Sequence, residues 1–154
     1  QWPVTVLAAA TAGAYLGFLP YNFYPQFMMP GYSGKSLAGF LIGVLAILSG
    51  AKLATVILTL ALPMVDGLWA ISRRIVKGQN PVWGDAKHFH HLLLKLGIPK
   101  PIIAISYWLF SALLGFIVLQ LSSEQKVWAL IMISMGISFI LLFLHKLIIP
   151  HSED

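Results

Sequence analysis

The segment Ile102–Leu121 reads IIAISYWLFSALLGFIVLQL and contains no charged residue. A helix that crosses the hydrocarbon core of a bilayer needs roughly 20 mostly apolar residues. Because lipid offers no hydrogen bonds to the backbone, a spanning segment of this kind must satisfy its own and is expected to be α-helical. The next run, Val127–Ile149, has a similar apolar character. Together these two segments predict a membrane-embedded protein of the all-α class.

Three further apolar runs precede this pair. We therefore predict an all-α, polytopic transmembrane helix bundle of about five spans, folded as a single membrane domain over residues 1–154. The predicted spans are about 2–19, 36–49, 53–71, 102–121 and 127–149, with a polar loop at 73–100.

The composition agrees with a lipid environment. Hydrophobic residues make up 58% of the chain and charged residues only 10%, whereas soluble domains average about 25% charged residues. Cysteine is absent, which excludes disulfides, thiolate metal sites and cysteine nucleophiles. The net charge of +5 does not indicate a nucleic-acid partner, because the basic residues lie between apolar runs rather than on a polar domain.

The distribution of those basic residues predicts the orientation of the chain. Loops that carry excess lysine and arginine remain on the cytoplasmic side of a membrane. Lys35 and Lys146 fall on one predicted face, and Lys52 and Lys126 on the other. The first face also contains the basic residues of the polar loop: Arg73, Arg74, Lys77, Lys87, Lys95 and Lys100. We predict a multi-pass protein of the bacterial inner membrane, with its N-terminus outside and its C-terminus cytoplasmic.

An acidic residue lies within the third predicted span. Asp66 follows Pro63 and precedes Arg73 by seven positions. A carboxylate within a membrane segment is costly and is often functional. Two interpretations remain open: Asp66 reaches the interface and pairs with a basic residue, or Pro63 breaks the helix and Asp66 faces a water-filled cavity.

The polar loop contains the pattern of a cytoplasmic amphipathic helix between Asp85 and Gly97. Asp85 is a suitable N-cap, and Gly97 a suitable residue just beyond the C-terminus. Apolar residues follow helical spacing on one face: Phe89, Leu92, Leu93 and Leu96. Polar residues occupy the other face: Lys87, His88, His90, His91 and Lys95.

The histidines admit three interpretations. They form a solvated polar face, a metal site, or a site for a phosphate-bearing ligand. A metal site has little support, since Asp85 is the only carboxylate nearby. Imidazoles beside lysines supply hydrogen-bond donors and positive charge, which favours phosphate.

The stretch Pro30–Ser36, PGYSGKS, invites comparison with a P-loop but lacks the glycine that this motif requires five residues before Gly34. Because it opens the second predicted span, we expect a Gly-rich turn with free backbone N–H groups, which suits an anion and equally suits any tight loop entry.

Several segments recur in the same order in one family. LGFLPYNF lies at residues 16–23, LPMVD at 62–66 ahead of paired arginines, and GQNP at 78–81 ahead of HFHH at 88–91. This series resembles the polyprenyl-phosphate N-acetylhexosamine-1-phosphate transferases, also called glycosyltransferase family 4. Members that act on N-acetylglucosamine transfer the sugar 1-phosphate from UDP to undecaprenyl phosphate with Mg²⁺, in cell-wall or lipopolysaccharide synthesis.

The resemblance implies roles for particular residues. Asp66 would be a catalytic residue beside the active-site cavity. Substrate phosphates would be bound by Asn22, Lys87, His88, His90 and His91. Tyr32 stands where the family has a metal-binding Asp, so no metal ligand is assigned.

The resemblance also implies a longer enzyme, because the family has about twice as many spans and its paired-Asp motif lies in an N-terminal half. We therefore expect a C-terminal half that is inactive alone and needs a second chain, an N-terminal half or a homo-oligomer. The alternative is a non-catalytic homologue that acts as a membrane-binding or scaffold subunit. A metal-ion membrane protein that uses the histidines is a third, weaker hypothesis.

Overall fold

The computed structural model describes residues 2–49, 53–80 and 88–148. These residues form seven helices and no strand, which confirms the all-α class. The helices are α1 (Trp2–Asn22), α2 (Gly31–Leu48), α3 (Leu53–Thr59), α4 (Ala61–Val76), α5 (Phe89–Lys95), α6 (Lys100–Gln120) and α7 (Ser123–Ile148).

Four of these helices, α1, α2, α6 and α7, are long and apolar enough to cross a membrane. The pair α3 and α4 provides a fifth span if the two are counted together, although the chain bends by 77° between them. The chain is thus a multi-pass membrane protein with four to five candidate spans.

The bend has a local cause at Pro63. Proline lacks an N–H for the carbonyl four residues earlier, and its ring clashes with that carbonyl. The residue four before Pro63 is Thr59, where α3 ends. After the break, Pro63 lies in the first turn of α4. N–H groups in the first turn of a helix have no intrahelical acceptor, so the absence of an N–H at Pro63 breaks no hydrogen bond there. The next N–H, that of Met64, donates to Leu60 O at 3.1 Å.

The second span begins earlier than the sequence suggested. We expected a Gly-rich turn over Pro30–Lys35 ahead of a helix at Ser36, but α2 begins at Gly31. Most of the expected turn is therefore the first turns of a helix, and the Gly34 N–H already donates to Pro30 O at 3.2 Å.

The chain divides into two compact units, Gln1–Val56 and Ile57–Asp154. In the first unit α1 packs against α2, and the Tyr15 hydroxyl on α1 donates to Gly34 O on α2 at 2.9 Å. In the second unit α4 packs on α6 and α7 around a buried apolar cluster. That cluster consists of Ala61, Leu62, Leu114, Ile137 and Leu141.

The short helix α5 belongs to the second unit and packs against α6 and α7. Leu92 is its buried anchor, with 1% of its surface exposed, and Phe89 packs against the apolar cluster. A helix is therefore present where the amphipathic helix was predicted, and its apolar side lies on the bundle, but it begins at Phe89 with His88 as its N-cap and is shorter than predicted.

Candidate functional site

Asp66 on α4 is the organising carboxylate of the second unit. It is 6% exposed, and both of its oxygens are engaged with the start of α5. Oδ1 accepts the backbone N–H of Phe89 at 2.9 Å, and Oδ2 lies 3.1 Å from Nδ1 of His88. Since an ionised carboxylate can only accept, Nδ1 carries the proton of this contact and Nε2 of His88 remains available to a ligand.

Asp66, which lies on α4, caps the N-terminus of α5. The N-cap residue of α5, His88, makes no capping hydrogen bond with its own side chain. A carboxylate on the first N–H of a helix satisfies an otherwise unpaired donor and interacts favourably with the positive end of the helix dipole. The sequence-based choice of Asp85 as N-cap was wrong, because the N-cap of α5 is His88; Asp85 itself lies outside the described residues.

These contacts bear on the two interpretations of Asp66. The helix breaks between α3 and α4, ahead of Asp66, as the cavity interpretation required. The carboxylate itself is buried against His88 and Phe89, and the side chain that it contacts is a histidine 22 residues away. Burying a carboxylate is tolerable only when it is paired and hydrogen-bonded, and both conditions are met here.

The C-terminus of α5 follows the expectation from sequence. Gly97 has φ +81°, the left-handed conformation that glycine adopts at low cost. Its N–H donates to Leu94 O at 3.0 Å, and the Ile98 N–H donates to Leu93 O at 3.2 Å. These two bonds form a Schellman motif that ends the helix.

Three imidazoles form a continuous row that starts at Asp66. The rings of His88 and His90 are stacked, with centroids 5.8 Å apart. The rings of His90 and His91 are tilted, with centroids 4.2 Å apart. The histidine cluster predicted from sequence is therefore brought together, with the Asp66 carboxylate at one end.

The middle imidazole is held in a less basic state. Partial burial lowers the pKa of His90 below its ordinary value, and repulsion from His91 and, more weakly, His88 acts in the same direction, while Asp66 opposes them. His90 is thus mainly a neutral hydrogen-bonding group near pH 7.

Two cavities flank α5. An apolar cavity of about 370 Å³ lies among α4, α5, α6 and α7, and its lining includes Phe89 and Ile102. A second cavity of about 540 Å³ lies between α5 and α6, and we call it the cationic cavity. It is lined by His90, His91, Leu94, Lys100, Ile103, Ala104, Tyr107 and Trp108.

Tyr107 lines both cavities, and its buried hydroxyl has no hydrogen-bond partner among the described residues. Sequence reasoning missed Tyr107 and Trp108 because they lie inside an apolar span. The only available signal was that they share one helical stripe with Lys100, at spacings of seven and eight residues.

Two other predicted residues, Asn22 and Tyr32, lie in the first unit. The Asn22 amide donates to Met28 O at 3.0 Å and so ties down the connection between α1 and α2. Tyr32 is the second residue of α2 and is 90% exposed. Lys87 lies outside the described residues.

The described side chains do not fit a magnesium site. Mg²⁺ prefers carboxylate oxygens and water in octahedral geometry. Both Asp66 oxygens are already engaged, and the phenol of Tyr32 is a poor ligand. Across residues 2–49, 53–80 and 88–148, no group of three or more His, Cys, Asp or Glu side chains could hold a metal ion.

Comparison with known proteins shows similarity to a set of membrane transferases. The chain is 31% identical over 134 residues to decaprenyl-phosphate N-acetylglucosaminephosphotransferase of Mycolicibacterium smegmatis, which covers 75% of the chain and 32% of the relative. It is 30% identical over 148 residues to a probable undecaprenyl-phosphate N-acetylglucosaminyl 1-phosphate transferase of Bacillus subtilis, which covers 92% and 40%.

A third relative is phospho-N-acetylmuramoyl-pentapeptide-transferase of Desulfovibrio desulfuricans, which is 35% identical over 126 residues, or 76% of the chain and 33% of the relative. The chain therefore spans about a third to two fifths of the length of these relatives. No family model matches the sequence, and no solved structure matches the fold.

Proposed function

The chain belongs to the polyprenyl-phosphate N-acetylhexosamine-1-phosphate transferase family, and we propose that it supplies the C-terminal half of such an enzyme. The transferred group is an N-acetylhexosamine 1-phosphate, the donor is a UDP-sugar and the acceptor is undecaprenyl phosphate. The product serves cell-envelope polysaccharide synthesis. The row of imidazoles ordered by Asp66 is the observation that carries this proposal.

The reaction is a phosphoryl transfer between two anions. An oxygen of the lipid phosphate forms a bond to the phosphorus that bears the sugar, and the bond from this phosphorus to the bridging oxygen breaks, which releases UMP. Catalysis of such a step depends on positioning and on neutralising charge at the phosphates. The histidine side chains at the start of α5 are suited to that task.

The proposal assigns individual roles from the resemblance to the family, with support from the contacts of Asp66 and the histidines. His88, His90 and His91, with Lys87, contact the phosphates of the nucleotide sugar. Asp66 is a positioning residue: it orients His88 through Nδ1 and caps α5, so that Nε2 faces the ligand. Asn22 is a further candidate for the nucleotide, although its amide already serves Met28.

The chain alone is proposed to be catalytically silent. The side chains of the described residues do not fit a divalent cation, and we propose that a second polypeptide supplies the carboxylates for one. Incubation of the chain in detergent with UDP-N-acetylglucosamine, undecaprenyl phosphate and Mg²⁺ should give no turnover. Turnover without a second polypeptide would contradict this proposal.

A binding experiment tests the nucleotide site separately. UMP should slow proteolysis of the loop 73–100, and His88→Ala and His91→Ala should abolish that protection. His145→Ala is the matched control, because His145 lies in the last turn of α7. If UMP does not protect the loop in the unaltered chain, the nucleotide-site proposal fails.

One observation supports the alternative of a non-catalytic homologue that binds lipid or stabilises a partner. Tyr32, at the position of the family carboxylate, is an exposed neutral phenol at the start of α2. Co-expression with a family N-terminal half decides between the two: restored transfer supports the enzyme, and stable association without transfer supports the scaffold.

We further propose that the loop 73–100 faces the cytoplasm, with the N-terminus outside and the C-terminus inside. The support is the concentration of lysine and arginine in that loop. Cysteine introduced at Gln79, in a chain that has none, should react with a membrane-impermeant maleimide only after the inner face is opened. Labelling in intact spheroplasts would show that the loop lies on the outer side, and would contradict this orientation.

A further inference from the structure

The cationic cavity has a polar end and an apolar end. From α6 it takes Lys100, Ile103, Ala104, Tyr107 and Trp108. Their spacing of i, i+3, i+4, i+7 and i+8 places them on one stripe of the helix. The polar end of this stripe is Lys100, and the remainder is apolar or aromatic.

The polar end of the cavity is positive. Lys100 is the first residue of α6, and the first turn of α6 contains no acidic residue. A cation at a helix N-terminus adds to the positive end of the helix dipole instead of balancing it. His90 and His91 of α5 line the same end, so hydrogen-bond donors and positive potential converge there.

The apolar end extends along the membrane-spanning helix. With a rise of 1.5 Å per residue, Trp108 lies about 12 Å beyond Lys100 along α6. Ile103 and Ala104 line the wall between them. A free anion would leave this wall uncovered, whereas an amphiphile would place its charge at Lys100 and its chain along the wall.

We infer that the cationic cavity binds the lipid-linked phosphate, with the phosphate at Lys100 and His91 and the polyprenyl chain along Ile103, Ala104 and Trp108. The inference rests on the proposed function, because a phosphoryl transfer must bring the donor and acceptor phosphates together. The imidazole row then lies beside both ligands: all three imidazoles contact the donor phosphates, and His91, at the end of the row, also reaches the acceptor phosphate.

The charge of the headgroup distinguishes this ligand from bulk lipid. A phosphate monoester carries about −1.5 to −2 charges near pH 7, whereas the phosphodiester of an ordinary anionic phospholipid carries one. A site that combines Lys100 with two imidazole donors should therefore favour the monoester.

Binding of farnesyl phosphate, a short polyprenyl phosphate, to the detergent-solubilised chain tests the inference. Farnesol, inorganic phosphate and a short-chain phosphatidylglycerol serve as competitors. Lys100→Gln should weaken binding about tenfold, as expected for loss of a charge-assisted hydrogen bond. Lys95→Gln is the matched control, because Lys95 lies at the end of α5 outside the cavity lining, and its affinity should stay within about twofold.

A second variant removes the space rather than the charge. Ala104→Trp should fill the cavity wall and abolish binding, while helix content measured by circular dichroism remains that of the unaltered chain. Equal losses in Lys95→Gln and Lys100→Gln would overturn the inference in favour of general surface charge. Competition by inorganic phosphate or phosphatidylglycerol as strong as that by unlabelled farnesyl phosphate would overturn it as well.

The test of this inference and the test of the proposed function can fail independently of each other. If UMP protects the loop 73–100 but farnesyl phosphate binding is independent of Lys100, the nucleotide site stands and the lipid inference falls. If farnesyl phosphate binds through Lys100 but UMP gives no protection, the cavity is a lipid-phosphate site in a chain that is not a transferase.

Discussion

Two corners of the chain, one in each compact unit, contain segments that resemble family motifs, and they are built very differently. At the start of α5, a buried carboxylate caps a helix, orients a histidine and leads into a row of imidazoles. At the start of α2, where the resemblance to the family leads one to expect a carboxylate, the chain has Tyr32, which is 90% exposed. The Asp66 side chain has a structural role even without catalysis, whereas the exposed Tyr32 side chain has no hydrogen bond described in the structure.

The largest expected effect is at Asp66. Asp66→Ala leaves the Phe89 N–H and the His88 ring without their acceptor, and should lower the free energy of unfolding by about 3 kcal/mol. Thermal unfolding followed by circular dichroism measures this loss. Tyr32→Ala is the comparison and should change stability by at most about 0.5 kcal/mol; similar losses at both positions would contradict the contrast between the corners.

Backbone strain provides a second comparison. Gly97 and Gly31 have φ values of +81° and +64°, so alanine at either position should cost about 1 kcal/mol. Gly39 in α2 has no strained φ and has open space around it, and Gly39→Ala should be neutral or slightly stabilising. Denaturant unfolding of the three variants tests the ranking, and a Gly39→Ala loss as large as that of Gly97→Ala would refute it.

The Tyr32 corner can also be altered towards the family pattern. Tyr32→Asp places an acid in the first turn of α2, where none is present now, and should stabilise the helix by about 0.3–1 kcal/mol through its dipole. Tyr32→Asn is the isosteric control and should gain less. If both variants raise the melting temperature equally, the gain does not come from charge.

The smallest expected effect is on the protonation of His90. Its pKa is lowered by burial and then by repulsion from His91, so the folded chain resists protonation and loses stability as pH falls from about 6.5, the unfolded value, through the lower folded value. In His91→Gln the pKa of His90 should rise towards normal, and in Asp66→Asn it should fall further. Nuclear magnetic resonance titration of the ring measures both shifts, and a shift of opposite sign in either variant would contradict the assigned causes.

The parts of the structure that depend on local signals could be predicted from the sequence. The apolar runs indicated membrane helices, and Gly97 marked the end of α5 because a positive φ at a helix end favours glycine. The start of α2 at Gly31 was missed because proline and glycine were interpreted as a turn, whereas Pro30 is the N-cap of α2 and Gly31 is its first residue.

The candidate site was only half predictable for a physical reason. The histidines are neighbours in sequence, so their clustering was expected. The bond from Phe89 N–H to Asp66 joins residues 23 apart on two helices, and it exists because α5 has no capping side chain of its own. Likewise, the sequence identified Lys100 only as one of several basic residues that predict the orientation of the chain. Its place in the cationic cavity depends on the packing of α5 against α6.

The central claim is that Asp66 organises the imidazole row into a phosphate-binding site. The most direct measurement is the protection of the loop 73–100 by UMP in the unaltered chain and in Asp66→Asn, at a temperature where circular dichroism shows both to be folded. We predict strong protection of the unaltered chain and at least a tenfold higher UMP concentration for the same protection in Asp66→Asn. Equal protection of the two would show that the histidines bind phosphate without Asp66, and would contradict the claim.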